Sequence, residues 1–285
     1  MEDNIHFERF LYEDGSAITL SDMPFCVDRI IVLPKIRPHQ LEKAVTVSAE
    51  YCKISDFRRN LLDKCNECPV LIYHLYTRDI IVFGEIEGYL RNENSFLISY
   101  YFRKEIEEFE TFILKKLKPY SFDESFFENT NDLDELIEYG FHRSSIEYCL
   151  KYDDINELVG FHDLHQKAKW SPFEWSFKPD YLDLLSFSGF FGSIKCFKHL
   201  LLNGLKINEN VFSMVSCSGC LDLFHLCRRE QSITIENLCR ACDFFHPSLL
   251  VFMIENGSDI NSKDSNFWKF FVTHLLFTMQ LIMVI

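Results

Sequence analysis

Length, composition and charge already exclude several classes of protein. The chain has 285 residues, 47% hydrophobic and 15% aromatic, so it can build a substantial core and is not globally disordered. Its formal net charge of −14 argues against a nucleic-acid backbone as the main partner, because such proteins usually carry a basic face. The length suits one large domain or two.

The amino-terminal residues and the cysteines predict a reducing compartment. Residues 1–6 are acidic and no apolar stretch follows them, so we expect no secretory signal. Eleven cysteines at irregular spacing, without such a signal, predict reduced thiols that are mostly buried as small apolar residues. We therefore expect a cytoplasmic protein.

The first part of the chain predicts helices. Residues 29–34 would suit a short strand or an extended arm, and the role of residues 1–36 stays open. Helical spacing begins after Pro38, and a later apolar run starts with Pro69, a position that a helix tolerates. Residues 96–118 predict one or two helices, because glutamates precede lysines along the run as the helix dipole favours.

The middle of the chain alternates polar loops with short helices. Residues 119–132 are polar and acidic and predict a loop or hinge. A short helix follows over Leu133–Tyr139, with Gly140 as its cap, and two more short helices are separated at Asp153. Residues 166–180 contain two tryptophans and two prolines and predict an ordered loop.

A block of sequence then repeats about every 27 residues. Isoleucine followed by a polar residue occurs at 207–208, 233–234 and 260–261. An Asn-Gly pair precedes the first of these at Asn203 and the last at Asn256, in each case after an apolar run. Repetition at this period is typical of solenoids, in which each unit buries its apolar face on its neighbours.

The residues of this block resemble an ankyrin repeat. In Leu184–Gly204, Ser188 and Gly189 stand at the two small positions of a first helix, and a second helix ends in a leucine run. Residues 254–261 resemble the end of such a unit. Upstream, residues 153–174 look like the uncharacterised ankyrin-like domain that precedes ankyrin repeats in large protist families.

The resemblance has departures. The units are shorter than the usual ~33 residues. The middle unit has Arg229–Ser232 where Asn-Gly is expected, and residues 68–109 resemble the family only loosely.

The resemblance implies an all-α fold, a helical N-terminal region followed by an ankyrin-like helix-pair solenoid. It also implies a non-catalytic module that binds a protein partner, not identified by the sequence, through a concave repeat surface. We divide the chain into a helical N-terminal region, an ankyrin-like helical segment with an ordered loop, degenerate ankyrin repeats and an apolar tail. These regions cover residues 1–120, 121–180, 181–266 and 267–285.

Four cysteines give the main alternative, a structural zinc module. Cys217 and Cys220 form one pair, Cys239 and Cys242 form a second, and the 18 residues between the pairs lie in the range of zinc ribbons. The second pair sits in a helical run, where positions three apart simply share a face. We therefore favour core packing and predict no metal ligands.

Other candidate sites are weaker. Cys65 and Cys68 have the spacing of a redox pair but follow no predicted strand. His162 and His165 could share a metal near Asp163, although isolated histidines are more often structural. No phosphate loop, nucleophile elbow, kinase set or metalloprotease helix occurs, so we predict no catalytic residues, no cofactor and no enzyme activity.

The apolar tail, residues 267–285, has three interpretations. Its length is close to that of a membrane span, although one lysine and other polar residues weaken that interpretation. A shifted codon frame would permit an ankyrin-like first helix there, which favours an out-of-frame remnant of a further repeat. An ordinary packed helix is the third possibility. A tail-anchored, membrane-associated adaptor therefore remains an alternative to a cytoplasmic one.

Overall fold

The described part of the chain is helical apart from one pair of short strands, which confirms the all-α prediction. The buried residues fall into two hydrophobic cores. Those up to Ile137, together with Phe173, form the first core, and the others from Phe141 onward form the second. The computed structural model describes residues 27, 30–31, 41–91, 96–108, 112, 133–171, 173, 181–244 and 246–256.

Six helices supply most of the first core. Within it, α1 contacts α3, α3 contacts α5, and α4 contacts both α2 and α5. The fully buried side chains Phe57, Leu71 and Phe102 lie at its centre. The six helices are α1 (Leu41–Tyr51), α2 (Ser55–Asp63), α3 (Pro69–Thr77), α4 (Phe83–Leu90), α5 (Phe96–Tyr101) and α6 (Leu133–Tyr139).

One prediction in this region was wrong. Ile30 and Ile31 have helical backbone and are buried in the first core, so these two residues form neither a short strand nor an extended arm. For residues 96–118, a helix spans Phe96–Tyr101, turns follow to Glu108, and Phe112 again has helical backbone. Residues 109–111 and 113–118 lie outside the described residues, so one or two helices over this range stays a prediction.

Four consecutive helix pairs supply the second core. The two helices of each pair contact each other, and the first helices form a row in which α7 contacts α9, α9 contacts α11, and α11 contacts α13. The pairs are α7 (Ile146–Lys151) with α8 (Ile155–Leu158), α9 (Leu184–Phe191) with α10 (Ile194–Leu202), α11 (Glu209–Ser218) with α12 (Leu221–Arg228), and α13 (Ile235–Asp243) with α14 (Pro247–Glu255).

Two three-residue strands join the first two pairs. β1 (Lys167–Lys169) pairs antiparallel with β2 (Tyr181–Asp183), with Ala168 opposite Leu182. The prediction of a loop over residues 166–180 was therefore wrong for residues 167–169, which form β1. The chain then enters α9 directly from β2, and Asp183 caps that helix by accepting a hydrogen bond from the Ser186 amide at 2.8 Å.

The residues that follow β1 contribute buried side chains to both hydrophobic cores. Trp170 is buried in the second core, whereas Phe173 is buried in the first. The Phe173 ring lies 5.8 Å from the ring of Tyr101, and its carbonyl accepts a hydrogen bond from the Tyr101 hydroxyl at 3.5 Å. The N-terminal helices are therefore tied to the helix pairs at this segment as well as through the chain after α6.

Candidate interaction surface

The turn inside each helix pair sets the direction of the second helix. In the first three pairs this turn contains one residue in the left-handed conformation: Asp153 (φ 54°), Gly192 (φ 70°) and Gly219 (φ 66°). Glycine adopts this conformation without steric cost, and aspartate tolerates it better than most residues. The split at Asp153 was predicted from the sequence, and the shared conformation gives the successive pairs a common geometry.

Side chains at these turns lock neighbouring pairs together. The Asp153 carboxylate accepts hydrogen bonds from the Lys195 amide at 3.2 Å and the Cys196 amide at 2.9 Å, so it caps the start of α10 from the preceding pair. Two pairs further on, His246 Nε2 donates to the Cys217 carbonyl at 2.7 Å. These bonds fix where the second helices lie on the surface.

Two of the first helices, α9 and α11, offer little surface to a partner. All eight residues of α9 are buried, and so are the residues of α11 from Val211 onward. The chain itself covers α9, because the Trp170 ring lies 4.9 Å from the ring of Phe187 and 5.2 Å from that of Phe190. The Phe244 ring lies 5.7 Å from that of Phe190. Accessible surface therefore lies on the second helices, on the connections between pairs, and on α13, in which only Asn237, Leu238 and Ala241 are buried.

The outward face of α10 is the most distinctive exposed feature of this region. Lys195, Lys198 and Leu202 are exposed, and Leu202 has 87% of its surface accessible. Lys206 is exposed in the connection that follows. None of these lysines forms an ion pair with any residue that the structure describes. The sequence signal for this face is the spacing of residues 195, 198 and 202. These residues were not among the candidate sites predicted from the sequence.

The four cysteines of the zinc alternative are not brought together. Within the described residues, no group of three or more His, Cys, Asp or Glu side chains is placed to hold a metal ion. Cys217 is buried in α11, where its thiol donates a weak hydrogen bond to the Ser213 carbonyl at 3.5 Å. Burial raises the pKa of Cys242 to about 12 and raises that of Cys217 still further, so both are neutral thiols at physiological pH.

The weaker candidates have structural roles. Cys65 is buried, which raises its pKa to about 11, so it is not a reactive thiolate of a redox pair. Asp163 accepts a hydrogen bond from the His165 amide at 2.9 Å, as in a polar turn. Asp154 caps α8 through the amides of Asn156 and Glu157.

Comparison with known proteins does not identify the chain, because no family model, no curated protein and no solved structure matches it. Within the described part of the chain, no helix combines the length and apolar character needed to cross a bilayer. The apolar tail, residues 267–285, and the second Asn-Gly motif beyond Asn256 lie outside the described residues.

Proposed function

We propose that the chain is a non-catalytic protein-binding module whose four helix pairs form a short ankyrin-like solenoid. The observation that carries this proposal is the row of first helices, in which each contacts the next, with a second helix packed on each of them. Each pair from α9 onward buries its first helix on the next one, as in a repeat architecture. Such an arrangement offers an extended surface to another macromolecule.

The side-chain chemistry of the second core supports a binding role. Burial raises the pKa values of several of its thiols, among them Cys149 and Cys227, to about 11 and about 12 respectively. A nucleophile or general base needs a pKa near or below the working pH, so these thiols suit packing and not catalysis. The polar side chains at the helix interfaces are engaged in hydrogen bonds that hold the pairs in register.

The net charge of the chain favours a protein partner, and the state of its cysteines favours a reducing compartment. A net charge of −14 makes a protein partner more favourable than a nucleic-acid backbone. All ten described cysteines are free thiols, and most are buried, which supports a reducing compartment such as the cytoplasm. We include a cytoplasmic location in the proposal.

Affinity capture tests the proposed function. The full chain is immobilised and exposed to native cell lysate, and retained proteins are identified by mass spectrometry. Each candidate is then produced in pure form and titrated against the chain by calorimetry. A partner that binds saturably with fixed stoichiometry supports the proposal. Failure of every candidate to bind in pure form would overturn it.

A further inference from the structure

The exposed face of α10 combines cationic and apolar side chains on one side of the helix. Lys195, Lys198 and Leu202 follow one another at spacings of three and four, which places them in a row along the helix surface. Lys206 follows shortly after Gly204, whose φ of 93° turns the chain at the end of the helix. We define the α10 face as Lys195, Lys198, Leu202 and Lys206.

Two carboxylates of the preceding helix pair bind backbone amides. Asp153, which lies beside the start of α10, uses both oxygens to accept the amides of Lys195 and Cys196. Asp154 accepts the amides at the start of its own helix. Within the described residues no ion pair engages the ammonium groups of the α10 face, so they are available to an external anion. Such availability is notable in a chain whose net charge is −14.

The apolar part of the face is also unshielded. The Asn203 side chain could cover Leu202, but its amide instead donates to the His199 carbonyl at 2.9 Å and so folds back onto the end of the helix. Leu202 is the most exposed of the large hydrophobic residues that the structure describes. Burying one leucine side chain in an interface can increase affinity by about tenfold or more.

We infer that the α10 face binds a peptide segment of a partner protein in which acidic residues flank a bulky apolar side chain. Carboxylates of the segment would pair with the three lysines, and its apolar side chain would pack on Leu202. This inference rests on the proposed function and specifies its surface. An anionic membrane surface is the competing occupant, but the overall negative charge of the chain opposes it and a single leucine is a weak anchor.

Fluorescence anisotropy with a defined probe tests the inference. The probe is a dye-labelled peptide that alternates glutamate with leucine and phenylalanine, and a second peptide has glutamine in place of each glutamate. The full chain should bind the acidic probe, binding should weaken with added salt, and the glutamine peptide should bind at least about tenfold more weakly.

Variants locate the binding site. Lys195→Glu with Lys198→Glu should weaken binding of the acidic probe by at least about tenfold, because two attractions become repulsions. Leu202→Ser tests the apolar contact at a position too exposed to matter for folding, with an expected loss of about fivefold or more. Arg59→Glu with Lys167→Glu reverses two exposed charges elsewhere and is the matched control, which should bind like the original chain. Circular dichroism checks that each variant remains folded.

The other outcomes are decisive. Equal binding by the control and the α10 variants, or no binding of the acidic probe, would overturn the inference. So would binding to phosphatidylserine vesicles in place of the peptide, which would assign the face to a membrane surface. In the lysate experiment, equal capture of a verified partner by original and α10-variant chains would leave the proposed function standing and remove only the inference. Absence of any verified partner would instead count against the proposed function.

Discussion

Asn237 and Ser216 form a hydrogen bond in the buried interface between α11 and α13. Asn237 Nδ2 donates to Ser216 Oγ at 3.1 Å, and both residues are almost completely buried. The side-chain oxygen Oδ1 of Asn237 accepts from the amide of Thr234 at 2.8 Å and from its hydroxyl at 2.9 Å. Ser216 in turn donates to the Phe212 carbonyl at 2.9 Å. A satisfied polar network at this position favours a single register of the two helix pairs.

We predict that Asn237→Ala destabilises the chain by about 2 kcal/mol, since it leaves the Thr234 amide without its acceptor and creates a small cavity. Ser216→Ala should cost less, about 1 kcal/mol, because one neutral hydrogen-bond partner is removed. Urea unfolding followed by circular dichroism measures both. In the double variant the loss of unfolding free energy should be smaller than the sum of the two single losses, by about 1 kcal/mol. Strict additivity would show that the bond between the two side chains contributes nothing.

Much of the repeat geometry is predictable from local sequence. Gly140 and Gly204 follow helical runs and adopt positive φ, as the helix-end patterns predicted. The break at Asp153 was found for the same reason, because adjacent aspartates mark the start of a helix. These features depend on a few consecutive residues, so the chemistry of those residues is sufficient to predict them.

The surface could not be predicted in the same way. The cover that Trp170 places over α9 depends on β1 and β2, which are three residues long and too short to show alternation. The cap that Asp153 places on the start of α10 is a contact with the Lys195 amide across 42 positions of sequence. Contacts of this kind are set by tertiary packing and leave no pattern in the local sequence.

Gly219 is predicted to be the least replaceable of the turn glycines. A Cβ atom added at Gly219 would lie 2.6 Å from two carbon atoms of the His246 ring, in addition to the strain of a positive φ. We expect Gly219→Ala to cost about 3 kcal/mol. Gly192→Ala has the same backbone strain, but its nearest neighbour would be Ser218 Cβ at 3.4 Å, so we expect a loss of about 1 kcal/mol. Thermal unfolding compares the two variants.

Combining Gly219→Ala with His246→Ala separates the steric clash with the His246 ring from the other costs of Gly219→Ala. Removing the ring relieves the clash, so the double variant should be less destabilised than the two single losses added together. The remaining cost should come from backbone strain and from the lost bond to the Cys217 carbonyl. If the losses add fully, the ring is not what makes Gly219 necessary.

Trp170 should stabilise the second core by covering three phenylalanine rings. Its ring lies 5.9 Å from that of Phe191 and closer to those of Phe187 and Phe190. We predict that Trp170→Ala destabilises the chain by about 3–4 kcal/mol and exposes apolar surface that binds the dye ANS. Trp170→Phe keeps most of the cover and should lose less than half as much stability. Among the described residues, Nε1 of Trp170 has no hydrogen-bond partner, so this change removes no polar contact with them. Unchanged ANS binding in Trp170→Ala would contradict the role as a cover.

The ion pair between Arg58 and Glu85 should make stability depend on pH. Arg58 donates from Nε at 2.7 Å and from Nη2 at 2.5 Å to the two carboxylate oxygens, and these hydrogen bonds lower the pKa of Glu85. Glu85 also caps α4 through the Val82 amide at 3.0 Å. Because the pKa of Glu85 is lower in the folded chain than in the unfolded one, the stabilisation that its ion pair contributes is present above the unfolded pKa. It is lost as pH falls from there through the lowered folded pKa.

We therefore expect Glu85→Gln to reduce the free energy of unfolding at neutral pH by about 1 kcal/mol. The difference from the original chain should shrink as pH falls below ~4, the range in which glutamate takes up its proton. Urea unfolding at several pH values measures this. Glu87→Gln is the control, since Glu87 pairs with Arg91 on the open surface and should contribute little at any pH. A loss in Glu85→Gln that stays constant down to acid pH would show that the carboxylate charge is not responsible.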